Sequence, residues 1–431
     1  MLYDNLGTND RGHLTIGGVD TVQLAEEFGA PLYVLDEDQV RANCRTYRQA
    51  MARWMPAGSM PLFAGKALCF KGLYPVLEEE GMGADVVSPG EIYTALAGGF
   101  PAEKLYFHGN NKTDEDLAYA LDNGVGCFIV DNHQELARLN QAAGERGRRQ
   151  RVLLRVTPGI DPHTLQAINT GRIDCQFGVP IETGQAARFV AEALTMEHLE
   201  VEGFHSHIGS QIFEAEPFCD AVDILLDFAQ GLRQDLGFVA RTFNLGGGFG
   251  VRYRESDPVV DIPANIQALS EHLRQGCQEK AYPLPRILLE PGRSIVANAG
   301  LTLYQAGGIK TIEGYRSYVT VNGGMTDNPR YALSRSPYTV LPASRMEEPR
   351  DFVCTLAGRC CESGDLIQED ILLPRPERGD LLAVLSTGAY NFSMASNYNR
   401  LCRPALVMVR DGQARLAVRR QTFADLAACD L

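Results

Sequence analysis

The chain has 431 residues, more than a single hydrophobic core usually supports, so two domains are expected. Its formal charge of −14 argues against nucleic acid or an anionic membrane as a partner. Eleven cysteines without a Cys-x-x-Cys pair fit reduced thiols better than a disulfide framework or a structural zinc site. We therefore expect a cytoplasmic protein with no secretory signal and no membrane span.

From about residue 31 onward, short β-branched runs alternate with amphipathic stretches. After a lead-in run at 32–35, eight strand candidates end near Ala64, Val87, Phe107, Val130, Val156, His207, Leu245 and Leu289. Helix starts lie between them, and Ser88-Pro89-Gly90-Glu91 has the pattern of a capping box with proline at the first helical position. Eight βα units in series predict an α/β fold with a TIM (β/α)8 barrel, and periodicity leaves a doubly wound sheet open as the alternative.

The pattern changes after residue 300. Strand-like runs are separated by Gly/Pro turns at 317–321, 381–385 and 405–409. These runs predict a second, mostly β domain. The N-terminal segment before Pro31 contains the run 14–18 and is too short for its own core, so we expect it to add a strand to that domain.

These observations predict two domains with specific boundaries. The barrel, which would bind a cofactor, is expected over 36–298. The β domain is expected to combine 1–35 with 299–431. No Pro/Ser-rich linker marks the boundary between them.

Polar residues follow the predicted strands at the end of a TIM barrel where catalytic groups collect. They are Lys66, Asp85, His108, Asp131, Arg155, His207, Gly246-Gly247-Gly248, Glu290 and Arg293. Several are charged groups that a core would not accept without partners. We therefore expect the functional site at the C-terminal ends of the strands.

Lys66 ends the first barrel strand, within Phe63-Ala64-Gly65-Lys66-Ala67. A partly desolvated lysine amine at this point could react with a carbonyl group, which makes Lys66 a candidate anchor for pyridoxal phosphate (PLP). The alternative is a surface lysine that closes a strand.

Two further strand ends supply complementary groups. The glycine run at 246–248 would let the backbone approach an anion, and a flexible turn is the alternative. A dinucleotide-binding fingerprint would need glycine at position 251, where this chain has Val251. Glu290 could keep a pyridine nitrogen protonated, and Arg293 could bind a phosphate or a carboxylate. A structural Glu–Arg ion pair is the alternative there.

His205 and His207 suggest a metal as an alternative to PLP. Histidines at i and i+2 share one face of a strand, as in metal-dependent barrel hydrolases. We place this alternative below the one in which His207 stacks on a flat ring and His205 is structural.

The second domain carries its own reactive groups. Cys360 and Cys361 precede Glu362, so one thiol could deliver a proton and the acid could hold an amine; inert core cysteines are the alternative. Tyr390 offers a phenol for a phosphate or a substrate. Arg330, with Arg335, could bind a substrate acid.

Together these segments resemble the fold-type III PLP-dependent decarboxylases, and within them the diaminopimelate decarboxylase family. The resemblance covers nearly the whole chain and is carried by Phe-Ala-x-Lys-Ala around Lys66, Asp85-Val86-Val87-Ser88-Pro89-Gly90-Glu91, His108-Gly109-Asn110-Asn111-Lys112, Asn169-Thr170-Gly171, His207-Ile208-Gly209-Ser210-Gln211, the triple glycine, Glu290-Pro291-Gly292-Arg293, Cys361-Glu362-Ser363-Gly364-Asp365, Gly388-Ala389-Tyr390 and Ser396-Asn397-Tyr398-Asn399. Each motif alone is weak, and their number and order identify the family.

The resemblance implies a PLP-dependent decarboxylation of meso-diaminopimelate to L-lysine and carbon dioxide. Lys66 and Cys361 would be catalytic, with Cys361 returning a proton. The cofactor-binding residues would be Lys66, Asp85, His207, Ser210, Gly247, Gly248, Glu290, Gly292, Arg293 and Tyr390. The substrate-binding residues would be Arg293, Arg330, Ser334, Glu362 and Tyr390.

The resemblance also implies an assembly, a homodimer in which Cys361 reaches the active site of the other subunit. No metal, nucleic acid or membrane partner is expected. The alternatives are a related PLP decarboxylase acting on another basic amino acid, a racemase on the same barrel, and a metal-dependent hydrolase using His205 and His207.

Three positions depart from the family pattern. Ser334 stands where a tyrosine is usual, four residues after Arg330, and Tyr331 or Tyr338 could substitute for it. Gln176 replaces a lysine and Asn322 replaces an acid. The catalytic set is intact, and the Ser334 change bears on substrate preference because it removes a phenol expected near the distal group of the substrate.

Overall fold

The computed structural model describes residues 1–160 and 174–431. The motif Asn169-Thr170-Gly171 lies outside the described residues. The chain divides into two compact units, here named the barrel unit and the sheet unit. The barrel unit contains Cys44–Gly250 and Val259–Gly292, and the sheet unit contains Met1–Asn43, Val251–Pro258 and Arg293–Leu431.

The described strands run in chain order through both units. They are β1 (Leu6–Thr8), β2 (Leu14–Ile16), β3 (Val19–Asp20), β4 (Leu32–Asp36), β5 (Met60–Ala64), β6 (Gly83–Val86), β7 (Leu105–Phe107), β8 (Cys127–Val130), β9 (Gln150–Thr157), β10 (Val179–Pro180), β11 (Leu199–His205), β12 (Thr242–Asn244), β13 (Arg286–Leu289), β14 (Gly300–Ile312), β15 (Arg316–Val321), β16 (Val340–Leu341), β17 (Phe352–Ala357), β18 (Leu366–Leu373), β19 (Leu381–Leu385), β20 (Ala405–Arg410) and β21 (Gln413–Val418).

The described helices connect these strands. They are α1 (Thr21–Phe28), α2 (Glu37–Trp54), α3 (Tyr74–Glu79), α4 (Pro89–Ala97), α5 (Asp114–Asp122), α6 (His133–Glu145), α7 (Gln185–Ala193), α8 (Glu216–Leu236), α9 (Ile262–Glu279), α10 (Arg293–Val296), α11 (Arg330–Ser334) and α12 (Phe423–Ala427). No helix in the described part of the chain is long and apolar enough to cross a membrane.

Eight parallel strands of the barrel unit form a closed ring. Neighbours pair in the order β5-β6-β7-β8-β9-β11-β12-β13, and β13 pairs again with β5. β10 adds a short parallel pairing to β9. The predicted TIM barrel is therefore confirmed, and each predicted strand end lies within two residues of the observed one.

Apolar side chains fill the barrel because alternate residues of each strand point inward. The buried interior cluster consists of Leu62, Tyr106, Cys127, Ile129, Leu153 and Leu288. Burying each large apolar side chain contributes about 1.5–3 kcal/mol, so the interior is a packed core and not a channel.

Two barrel helices begin with the same variant of a capping box. In α4, Ser88 Oγ accepts the Glu91 N–H at 3.2 Å, and in α6 the Asn132 side chain accepts the Glu135 N–H at 2.9 Å. Each glutamate in turn accepts the N–H one residue before the cap, at 2.7 and 3.0 Å. The capping box predicted at Ser88 is present in this shifted form.

The main sheet of the sheet unit has the order β18-β17-β15-β14-β4-β20-β21, and β19 pairs with β14 and β16. The three runs predicted after residue 300 lie in β15, β19 and β20. The second, mostly β domain is therefore confirmed.

The run 14–18 contributes β2 to the sheet unit, but not to its main sheet. β2 pairs with β1 and β3 in a separate three-stranded sheet, and the N-terminal part joins the main sheet through β4 instead. The side chains of Leu14 and Ile16 nevertheless pack into the same core cluster as Leu303 and Val407. Burial of these apolar side chains in that core, and not pairing with the main sheet, therefore holds the run 14–18 in place.

A buried ion pair fixes the chain after β7. Lys112 Nζ donates to Glu135 Oε1 at 2.8 Å, and both side chains are only 2% exposed. The same ammonium donates to the carbonyls of Gly109 and Ile129 at 2.9 and 2.8 Å. All three ammonium protons therefore have acceptors, and the loop after β7 is tied to β8 and α6.

We predict that Lys112→Met lowers the stability by about 3 kcal/mol, because it leaves the Glu135 carboxylate buried without its cation. The matched control is Lys104→Met, whose pair with Glu78 at 2.9 Å is 34% and 39% exposed. That control should change stability by only about 0–1 kcal/mol. Calorimetric melting of both variants measures the difference, and equal losses would contradict the prediction.

Candidate active site

Charged and imidazole side chains gather at the C-terminal ends of the barrel strands, which all face one end of a parallel barrel. They are Asp85, His108, Asp131, Arg155, His205 and Glu290, and Lys66 follows β5 in a short 3-10 turn. Lys66 is exposed, contrary to the desolvation expected from its position in the sequence. The polar side chains named from the sequence thus lie together at this end of the barrel, and the environment of Lys66 differs from the one expected.

Glu290 is the centre of this group. Its Oε1 lies 2.9 Å from His108 Nε2 and accepts Asn244 Nδ2 at 2.6 Å, while Oε2 lies 3.2 Å from His205 Nε2. The two imidazole rings meet edge to face, with centroids 4.8 Å apart. The carboxylate is 6% exposed, so the Asn244 amide and the imidazoles of His108 and His205, from separate strand ends, take the place of water around it.

The environment decides the charge of these groups. Burial alone would raise the pKa of Glu290, but the neighbouring imidazoles of His108 and His205 outweigh it and hold that pKa well below its ordinary range. Burial lowers the pKa of His205 to about 3, so this imidazole is neutral and donates through Nε2–H. The site therefore holds a buried carboxylate as the anion.

Asp85 and His207 are shifted in the opposite sense. Burial, helped by the charge of Glu290, raises the pKa of Asp85 above its ordinary value. Burial, together with the charges of Lys66 and Arg155, lowers the pKa of His207 well below its own. Both side chains are thus biased toward their neutral forms beside one ionised acid.

The glycine turn at 246–248 packs against neighbouring loops too closely for side chains. A Cβ on Gly247 would lie 2.1 Å from the Glu290 carbonyl oxygen, and one on Gly248 would lie 2.5 Å from the Gly209 carbonyl oxygen. Gly248 also has a φ of 124°. The loops after β11, β12 and β13, which carry Ser210, the glycine turn and Glu290, therefore lie side by side.

The same packing joins the loop after β13 to the strand of Lys66. The Ala64 N–H donates to the Pro291 carbonyl at 3.1 Å, and a Cβ on Gly292 would lie 2.9 Å from that of Ala64. Lys66 and Glu290 are therefore held on adjacent strand ends.

These residues fit PLP. Asp85 Oδ1, His205 Nδ1 and Ser206 Oγ are buried and have no hydrogen-bond partner among the described residues, as expected where a bound group completes the site. An exposed lysine, an anionic buried acid and a glycine turn match the carbonyl, the pyridine nitrogen and the phosphate of that cofactor.

The sheet unit holds a second group, centred on Tyr390. Its ring centroid lies 4.7 Å from the Arg293 guanidinium carbon and 5.6 Å from that of Arg330. Arg293 Nη1 also donates to Tyr253 Oη at 2.7 Å. A Cβ on Gly388 would lie 1.8 Å from a carbonyl oxygen of α10, so this glycine lets Tyr390 approach the helix that begins at Arg293.

Arg330 is suited to bind an acid. Within the described residues it has no acidic side chain within 4 Å, and its buried Nε lacks a partner. Ser334 Oγ donates back to the Arg330 carbonyl at 3.0 Å, at the end of α11. Tyr331 is hydrogen-bonded to Glu369. Neither of these two side chains is therefore directed to the arginine–tyrosine group.

Tyr338 does belong to that group. Its ring packs edge to face on Tyr253, with centroids 5.4 Å apart, and its hydroxyl accepts Asn391 Nδ2 at 3.1 Å. Of the two tyrosines considered from the sequence as substitutes at position 334, only Tyr338 therefore lies beside the residues that bind Arg293.

Cys361 and Glu362 are exposed in the loop between β17 and β18, whereas Cys360 is 9% exposed. Burial, with the nearby charge of Asp365, raises the pKa of Cys360 to about 11. No disulfide links the cysteines, all of which lie in the described residues. The structure thus separates the two adjacent thiols into a buried one and an accessible one.

Sequence reasoning missed three contributors. Asn244 and Tyr253, which hold Glu290 and Arg293, were assigned no role, and His108 was noted only for its position at a strand end. Asn244 directly precedes the glycine turn at the end of β12, which was an available signal. For Tyr253 the sequence offered none.

The metal alternative is not supported in its predicted form. β11 ends at His205, so His207 lies beyond the strand and does not share a strand face with it. Within the described residues, the group that could hold a metal ion is His108, His205 and Glu290. These three side chains already contact one another directly.

The chain matches a known family and known structures along nearly its full length. The family described as pyridoxal-dependent decarboxylase, pyridoxal binding domain, matches residues 37–297. A diaminopimelate decarboxylase of Bacillus subtilis is 44% identical, over 100% of this chain and 98% of the relative.

Solved structures agree with this match. A diaminopimelate decarboxylase from M. jannaschii, in complex with L-lysine, superposes with a TM-score of 0.92 at 34% identity, covering 99% of this chain and 98% of that one. A lysine/ornithine decarboxylase from Vibrio vulnificus, complexed with putrescine, gives 0.76 at 25% identity, with 90% and 97% coverage. The chain belongs to the diaminopimelate decarboxylase family of PLP-dependent decarboxylases.

Proposed function

We propose that this protein decarboxylates meso-diaminopimelate to L-lysine and carbon dioxide, the last step of lysine biosynthesis, with PLP as its cofactor. The observation that carries the proposal is the buried Glu290 carboxylate, held ionised at the barrel end beside the strand that presents Lys66. The similarity to diaminopimelate decarboxylases along the whole chain supports the choice of substrate.

In this proposal the barrel residues hold the cofactor. Lys66 would carry it, Glu290 would hold the proton on its ring nitrogen, and His207 would lie against the ring. The turn at 246–248, with Ser210 and Gly292, would bind its phosphate, and Asp85 would lie near Lys66. When bound, PLP supplies an electron-withdrawing ring that accepts the electron pair left as carbon dioxide departs.

Residues of the sheet unit would help to bind the cofactor phosphate, bind the substrate and deliver a proton to the product. Arg293 and Tyr390 would bind phosphate and substrate, and Arg330 would bind the distal carboxylate of the substrate. Glu362 would accept a hydrogen bond from the distal amine. Cys361 Sγ would deliver a proton to the carbon that has lost the carboxylate. We propose that Cys361 acts across a homodimer and that the enzyme is cytoplasmic.

The departures from the family pattern have local explanations. Asn322 Oδ1 accepts the Gln305 N–H at 2.9 Å, a bond to an acceptor oxygen that an aspartate would also provide. Gln176 is exposed. We propose that Tyr338 supplies the phenol that Ser334 lacks.

The alternative is a related decarboxylase that acts on another basic amino acid, as the likeness to a lysine/ornithine decarboxylase suggests. Such substrates lack the distal carboxylate. Arg330 without an acidic partner among the described residues favours a substrate with two carboxylates.

We predict that the purified protein with added PLP releases carbon dioxide from meso-diaminopimelate, with little or no release from lysine or ornithine. The discriminating contact is the bond of Arg330 to the distal carboxylate, worth roughly 1.5–3 kcal/mol for a hydrogen bond to a charged group. Parallel assays on the three amino acids measure the preference. Turnover on lysine or ornithine but not on meso-diaminopimelate would contradict the proposal and support the alternative function.

Lys66→Ala should abolish turnover and the visible absorption of the PLP-loaded protein, because the covalent anchor is lost. Lys71→Ala is the control, since Lys71 is another exposed lysine in the next 3-10 turn. The control should keep both properties. A visible band that survives in Lys66→Ala, or is lost equally in Lys71→Ala, would refute the anchor.

Glu290→Gln should lower kcat by about 10²-fold, because an amide cannot hold the ring nitrogen protonated. In the cofactor-free protein the variant also tests the charge of Glu290. Its folded pKa is depressed, so the stability it contributes is fully present above about pH 4.5 and is lost as the pH falls further.

The melting-temperature difference between wild type and Glu290→Gln should therefore be constant from about pH 5 to 8 and shrink below about pH 4.5. Glu78→Gln, an exposed carboxylate, is the control. A difference that changes between about pH 6 and 8 would contradict the depressed pKa of Glu290.

A further inference from the structure

The loop 358–365 between β17 and β18 is held in one compact form. The Gly358 N–H donates to the Asp365 carbonyl at 2.9 Å, and the Glu362 N–H donates to the Cys360 carbonyl at 2.8 Å. The loop starts and ends on paired strands, with Ala357 opposite Leu366. Its backbone therefore has a defined path on which two adjacent cysteines are carried.

Asp365 fixes the buried side of the loop. Its carboxylate, 3% exposed, accepts the N–H of Cys360 at 2.7 Å and the N–H of Met325 at 2.6 Å. A Cβ on Gly358 would lie 2.2 Å from that carboxylate, and one on Gly324 would lie 2.5 Å away. The close carboxylate thus requires glycine at both positions and ties the loop to the turn at 323–327.

Asn399 fixes the exposed side. Its Oδ1 accepts the Cys361 N–H at 2.7 Å. Asn399 has φ 51° and ψ 22°, a left-handed conformation that asparagine tolerates better than most residues. The Ser396 N–H donates to the Thr326 carbonyl at 2.8 Å, so the turn that carries Asn399 is tied to the same 323–327 turn.

Two consecutive amides of the loop are therefore captured by two different side chains. Asp365 takes the N–H of residue 360 and Asn399 takes that of residue 361, which fixes the orientation of both peptide planes. As a result Cys360 is buried and Cys361 is exposed. Of the two neighbouring thiols, this arrangement leaves that of Cys361 accessible to solvent.

We propose that Asn399 is a positioning residue that fixes the direction of the Cys361 thiol for proton delivery. The inference rests on the proposed function, in which the Cys361 S–H bond breaks as the C–H bond of the product forms. The resulting thiolate then regains a proton from water. The Asn399 side chain binds the backbone of residue 361 and acts through it.

The test uses the full-length, PLP-loaded enzyme and the variants Asn399→Ala and Asn399→Asp. Losing one hydrogen bond of about 1–1.5 kcal/mol corresponds to a fall in kcat of about 5- to 12-fold. We expect that fall in Asn399→Ala, with KM for meso-diaminopimelate and the visible band unchanged and a larger solvent deuterium isotope effect on kcat. Asn399→Asp keeps the acceptor oxygen and should restore most of kcat.

A second measurement follows the hydrogen bond itself. Hydrogen–deuterium exchange of the Cys361 amide should quicken in Asn399→Ala and stay protected in Asn399→Asp. Asp430→Ala is the control, because the exposed Asp430 carboxylate accepts Arg400 Nη2 at 2.7 Å beside Asn399 and leaves the Cys361 amide untouched. It should change neither exchange nor kcat.

Each outcome decides the proposal. Faster exchange with an unchanged kcat and isotope effect would overturn the positioning role, as would unchanged exchange in Asn399→Ala. Loss of the visible band in that variant would indicate a structural role instead. Absence of carbon dioxide release from wild-type enzyme would refute the proposed function, and the positioning role with it.

Discussion

One buried negative charge organises the barrel end. Isolating a carboxylate from water costs several kcal/mol unless other polar groups replace the water. Around the Glu290 carboxylate, these groups are the side chains of His108, His205 and Asn244. These groups come from the ends of three different strands, so the charge is satisfied only when the barrel closes in its observed register. The geometry of the site therefore depends on the register of the barrel, and a shift of any one of these strands would remove one of the three partners of the acid.

The position of Lys66 depends on the packing of the neighbouring strand ends. Because Lys66 is exposed, desolvation does not distinguish it from an ordinary surface lysine, whereas its place at the strand end next to that of Glu290 does. That position follows from backbone packing, since Gly292 leaves room for Ala64 and Pro291 accepts its N–H. Gly292, which has no side chain, thus helps to set the position of the strand end that carries Lys66.

The barrel strands and the location of the site could be predicted because buried parallel strands are continuous apolar runs that end at polar residues. The partners of Glu290 could not be, since His108 and Asn244 meet it through the register of strands far apart in sequence. β14 was missed as well, since its second half is largely exposed and includes Gly307-Gly308, which hides the strand pattern. The sheet in which run 14–18 pairs could not be specified, because apolar alternation indicates burial and not the pairing partner.

The same distinction applies to the two thiols. The sequence alone does not distinguish Cys360 from Cys361, whereas in the structure their amides are bound by two different side chains, Asp365 of the same loop and Asn399 of a distant turn. Asp365 captures one amide from the core and Asn399 the other from the surface, so the peptide planes, not the side chains, determine which sulfur is accessible. A substitution that keeps both cysteines but removes Asn399 would take away the acceptor of the Cys361 amide, so the orientation of this peptide depends on a side chain 38 residues away.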